Sequence, residues 1–124
     1  MGKEIDSHIE SANLILLLIS ADFIDSDYCW GKEMSQALDK HKNGSAHIIP
    51  IILRPVVWIG TPIAELQLLP TDAKPVTQWS DPDLAFENIT QNISQVINSL
   101  QQKAKEEFYK QEEIKLIGNE LDYL

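Results

Sequence analysis

Arginine is almost missing from this chain: Arg54 stands alone, and Lys and Arg together number 10 against 19 Asp and Glu, a net charge of -9. Binding nucleic acid requires clustered cations to neutralise phosphates, so this acidic balance, with a pI near 4.6, argues against such a partner. Cysteine is nearly absent too, and a single Cys29 excludes an internal disulfide. The amino terminus lacks the charged segment and apolar core of a secretion signal, which places the protein in the cytoplasm as an expectation. The Asn43, Asn88 and Asn92 sequons would matter only in a secreted chain. Long apolar runs are lacking: Leu14 to Ile19 is far shorter than the roughly 20 residues of a membrane span.

Ligand-specific patterns are scarce as well. His8, His41 and His47 have no metal-ligand spacing, and Asp22, Asp25 and Asp27 lack the glycine and terminal glutamate of a calcium loop, so no metal is expected. No glycine-rich phosphate loop is present, which ranks a minimal flavodoxin-like nucleotide-binding domain low.

What the chain does hold is one small α/β core. Ile5, Ile9 and Ala12 recur at helical spacing and predict a short helix from about Lys3 to Ser11. The unbroken apolar run from Leu14, closed by Ser20, reads as a doubly buried parallel strand at the centre of a sheet. Asp25 or Ser26 can cap the helix that follows, with Trp30, Met34, Ala37, Leu38 and His41 as its inward stripe and Gly44 as its stop. A second strand follows in His47 to Leu53, irregular at Pro50, and then a loop opening at Arg54-Pro55. A turn of helix around Ile63 to Leu69 and a weaker third strand over Pro75 to Trp79 complete the middle of the chain. Asp81-Pro82 is a strong helix start, and Phe86, Ile89, Ile93, Val96, Ile97 and Leu100 form the stripe of a long last helix. The order predicts three parallel strands joined by right-handed crossovers, with a domain over 1–100 and a charged helical extension over 101–124.

Ligands of open α/β sheets sit outside the carboxyl ends of the strands, where this pattern delivers Glu33. No lysine or arginine lies three or four positions from it, so an unpaired carboxylate at the border of an apolar stripe is one reading; a solvated glutamate on a helix shoulder is the other. Trp30 could stack on a ring, or belong to the core. Cys29 reads as a small buried hydrophobe, since no histidine is spaced to serve as its base.

The succession EIDSHIESANLILLLISADFIDSDYCWGKEM, HIIPIILRPVVW and LQLLPTDAKPVTQW, followed by an amphipathic helix, resembles the carboxyl-terminal two-thirds of a bacterial Toll/interleukin-1 receptor (TIR) domain over roughly 3–100. The resemblance implies a partial flavodoxin-like fold, lacking the two strands and one helix with which the five-stranded family domain opens. It also implies two functions. One is a signalling or defence module that associates with other TIR domains or with itself. The other is hydrolysis of NAD+ as substrate, releasing nicotinamide, with Glu33 as the catalytic group and Ser20, Cys29 and Trp30 at the substrate; no bound cofactor is implied. The second would need a pocket wall from another chain. Without its family neighbour, the Leu14 to Ser20 strand is expected to expose an edge and to pair with a second copy.

Overall fold

A computed structural model describes the backbone of residues 14–122 and the side chains of residues 14–110. The helix expected over Lys3 to Ser11 lies outside these described residues. The contacts divide the chain into two compact units, 1–89 and 90–124.

The first unit is mixed α/β, built on two parallel strands, β1 (Leu14–Ile19) and β2 (His47–Ile52), in register from Leu14 beside His47 to Ile19 beside Ile52. Alternation sends Ile15, Leu17 and Ile19 to the same face as Ile48, Pro50 and Ile52. That face carries the core, where Ile19, Ile48, Ile52, Met34, Ala37 and Ile63 cluster fully or nearly fully buried. Helix α3 (Lys32–Asn43) supplies Met34 and Ala37, three positions apart on one face. Its first turn holds Glu33 and its last turn Lys40, His41 and Lys42, the charge order that suits the helix dipole. Gly44 ends it at φ 83°, in the left-handed region where its N–H reaches the carbonyls of Lys40 and His41.

The other face of β1 is open. Leu16 and Leu18 are 44% and 60% exposed, while their register partners Ile49 and Ile51 are buried. Thus β2 is enclosed on both faces as expected, whereas among the described residues β1 is the edge of a two-stranded sheet, not its centre. The backbone groups of Leu14, Leu16 and Leu18 face away from β2, because those of Ile19 face it: the Ile19 carbonyl accepts from the Leu53 N–H at 3.1 Å.

Pro50 sits in an enclosed strand without cost because of the side on which its missing donor falls. Its carbonyl accepts from the Leu69 N–H at 2.9 Å, so residue 50 faces away from β1 and the β1 ladder is intact. Along that far side the Ile48 N–H donates to His41 Nδ1 at 3.0 Å and the Ile52 N–H donates to the Leu69 carbonyl at 2.7 Å. Leu69 therefore forms a single parallel bridge opposite Ile51. Pro70 follows at once and cannot extend it.

The third strand expected over Pro75 to Trp79 is instead a 3-10 turn, Val76–Gln78, preceded by another at Thr71–Ala73. Prolines at 70 and 75 remove the donors a ladder needs there, and Trp79 folds back, its indole N–H donating to the Lys74 carbonyl at 3.0 Å. Residues 61–66 form successive turns rather than a helix, with Thr61 closing onto the Trp58 carbonyl and Ile63 driven into the core. Helix α4 (Pro82–Asp122) starts as anticipated: Asp81 accepts from the Asp83 N–H at 2.9 Å, and Pro82 occupies the first position. Its buried residues in this unit are Ala85 and Ile89; Phe86, placed in the stripe by periodicity, is 51% exposed. Asn88 accepts from the Thr71 N–H at 2.9 Å and donates to the Thr71 hydroxyl at 2.8 Å, fastening the helix to the segment after the bridge. In the second unit α4 continues, with Ile93, Val96 and Leu100 half-buried and every described side chain from Gln101 to Lys110 exposed.

Candidate functional site

Between β1 and α3 the chain makes two short helices where the sequence reads as a turn and a continuous helix. Ser20 caps α1 (Ala21–Asp25), its hydroxyl accepting from the Phe23 N–H at 3.4 Å. Ser26 caps α2 (Asp27–Trp30), accepting from the Cys29 N–H at 3.2 Å while donating to the Phe23 carbonyl at 2.6 Å. Gly31 then breaks the helix. It is extended, its N–H donates to the Tyr28 carbonyl at 3.4 Å, and its own carbonyl accepts from the Ser35 N–H at 3.2 Å. A Cβ at this position would lie 2.4 Å from the Asp27 carbonyl oxygen, so only glycine allows the two helices to abut.

That break re-aims the residues singled out from the sequence. Trp30 leaves the inward stripe and is 58% exposed, its indole N–H donating to the Ile24 carbonyl at 2.7 Å. Glu33 is exposed on the first turn of α3, with its carboxylate over Gly31, and so is not the desolvated group at an apolar border that periodicity suggested. Cys29 is fully buried, as a small hydrophobe would be, and burial pushes its thiol above the ordinary range. A thiol held protonated is a poor nucleophile. The native chain should therefore be more stable relative to Cys29→Ala at pH 7 than at pH 9.5. With the folded pKa raised, the thiol's contribution is complete below its unfolded value of about 8.5 and is lost as pH rises through the folded one. Urea denaturation of both proteins at the two pH values measures the narrowing.

The carboxyl ends of the two strands open onto a groove of about 480 Å³, lined by Ala21, Ile24 and Asp25 from α1 and by Pro55, Val56 and Val57 from the loop after β2. Parallel register brings these segments together: Ile19 and Ile52 are partners, so the residues that follow each emerge side by side. Its wall is apolar apart from Asp25, and Val57 and Ile59 extend the surface outward at 82% and 76% exposure. Ser20, Cys29, Trp30 and Glu33 are not among its lining residues; Trp30 is joined to one of them, its indole N–H donating to the Ile24 carbonyl. Among the described residues no group of three His, Cys, Asp or Glu could hold a metal ion, and no helix is long and apolar enough to cross a membrane.

No family model matches the chain. It is 47% identical over 91 residues to "Uncharacterized protein y4lF" of Sinorhizobium fredii (strain NBRC 101917 / NGR234), an alignment covering 73% of this chain. The chain spans only 28% of that relative's length. No solved structure matches.

Sequence reasoning found the loop opening at Arg54-Pro55 but did not pair it with residues 21–25. Two parallel strands ending in register bring their following loops into one crevice, but the register itself is written in no local pattern of the sequence. Reading 21–26 as a turn also hid the pairing, since Ser20 and Ser26 are each helix caps and Ala21 to Asp25 forms a wall.

Proposed function

We propose that this chain is an interaction module of the TIR class, acting in signalling or defence through association with like domains or with its own copies. The observation that carries this reading is the outer side of β1, where among the described residues no strand pairs with it and Leu16 and Leu18 are exposed. Edge strands of soluble proteins ordinarily carry charge, proline or a covering element, and an apolar edge invites a second strand. The exposed Trp30, Val57 and Ile59 add apolar contact surface at the strands' carboxyl ends. The parallel α/β arrangement of β1, α3 and β2 also suits a partial flavodoxin-like fold.

Leu18→Lys tests the reading. The residue is 60% exposed, so the substitution should change stability by no more than about 0.5 kcal/mol, while a charge on the edge weakens association about tenfold or more. Sedimentation equilibrium across micromolar concentrations reads both proteins. A native chain that is monomeric throughout overturns the proposal.

NAD+ hydrolysis is the alternative use, and the groove at the strands' carboxyl ends is the observation in its favour. Glu33 does not line that groove, so a facing wall from another chain would have to enclose its carboxylate. Nicotinamide release by the assembled chain, abolished by Glu33→Ala, would support this use; no release under any assembly condition leaves the interaction module.

A further inference from the structure

The groove at the strands' carboxyl ends has walls of opposite charge. From Ser20 to Gly31 the chain holds Asp22, Asp25 and Asp27 with no lysine or arginine, whereas from Leu53 to Ala64 its one charged side chain is Arg54. Asp25 is the acid that lines the groove; Asp22 and Asp27 stand in the first turns of α1 and α2 and do not line it.

The cationic wall also carries an apolar tip. Val56 and Trp58 pack against the core cluster, while Val57 and Ile59, alternating with them, are 82% and 76% exposed. Gly60 turns the chain at φ 81°, and the Thr61 N–H and hydroxyl both donate to the Trp58 carbonyl, so the tip is held in shape before anything binds it. Each copy thus presents an apolar tip beside a guanidinium and an apolar groove beside a carboxylate.

Charge decides how two copies can share this surface. A two-fold axis lying across the groove sets like walls together, three carboxylates against three and Arg54 against Arg54. An axis lying along the groove sets each acidic wall on the partner's basic wall, so that Asp25 of each copy meets Arg54 of the other and each tip covers the other's α1 wall. A foreign basic peptide would satisfy the carboxylate but leave Arg54 and the exposed tip unused. A second copy satisfies all of them.

We infer that the groove is an interface between two copies of this chain, closed by reciprocal Asp25–Arg54 pairs and by insertion of the Val57 tip. It shares with the proposed function the premise of self-association but uses a different surface. The full chain carrying Leu18→Lys therefore tests it apart from the strand edge.

In that background sedimentation equilibrium should show a dimer. Asp25→Arg or Arg54→Asp alone should weaken it about tenfold or more, since two-fold symmetry sets like charges together twice. An equimolar mixture of the two variants should recover the dimer, because each unlike pair then forms between chains although no single chain holds a native pair. An ion pair within one chain predicts no such recovery. Val57→Asp should weaken the dimer by a similar factor, and because the residue is exposed its urea midpoint should match that of the parent chain. Far-ultraviolet circular dichroism of each variant checks that it is folded. A Leu18→Lys chain that is monomeric, folded single variants that still dimerise, or a mixture as weak as its components would overturn the inference. A native dimer unmoved by Leu18→Lys but split by Asp25→Arg would uphold it and count against the strand edge.

Discussion

Ile52→Ala should cost about 2–5 kcal/mol, a large share of the roughly 5–15 kcal/mol that holds a domain of this kind together. Ile52 is fully buried in the cluster with Ile19, Met34, Ala37, Ile48 and Ile63, and nothing about a rigid ladder position lets the backbone collapse into the space left. The loss combines transferred methyl groups with an unfilled cavity, and the cavity part is large where neighbours are themselves held by hydrogen bonds. Here the Ile52 N–H is tied to Leu69 and the next residue's N–H to Ile19. Urea denaturation followed by far-ultraviolet circular dichroism should show a lowered midpoint with an unchanged slope. A midpoint within experimental error of the native one would contradict the placement of this strand at the centre of the core.

Gly31→Ala should cost about 3 kcal/mol, near the top of the range for forced overpacking, although it adds a single methyl group. The new carbon would lie 2.4 Å from the Asp27 carbonyl oxygen, which is backbone and cannot rotate aside, and 3.3 Å from the Glu33 carboxylate. Relief requires the second short helix and α3 to part. Gly44→Ala makes the instructive control: Gly44 has φ 83° with nothing within 4 Å of the place an added methyl would take, so its cost of about 1 kcal/mol is conformational and not steric. Thermal unfolding should rank native above Gly44→Ala above Gly31→Ala. The fluorescence of Trp30, adjacent to the break, should change only in Gly31→Ala.

Much of the first unit was legible in the chain. Both strands, the Ser26 cap, the Gly44 stop and the Asp81-Pro82 start rest on local chemistry, and each stands where local chemistry puts it. The helix break at Gly31 was not legible, because its cause is a carbonyl four residues back whose approach depends on how two short helices meet. Trp30 and Glu33 were misplaced for the same reason: a helical stripe extended across a break rotates every residue on one side of it. The third strand failed on tertiary grounds. Leu69 won the position beside Ile51 with one bridge, and the prolines around it left Val76 to Gln78 to curl. The two walls of the groove come from segments more than 25 residues apart, joined only by parallel register, and no local pattern carries that information.

The far side of β2 has a consequence for assembly. Its outward donors are all spent or missing, with Ile48 committed to an imidazole, Pro50 lacking an N–H, and Ile52 committed to Leu69. No incoming backbone can be templated there. Strand recruitment is thereby made one-directional: β1 can accept one neighbour, but β2 cannot pass the pattern on, so copies joined through their strands close as discrete pairs and do not elongate into fibres.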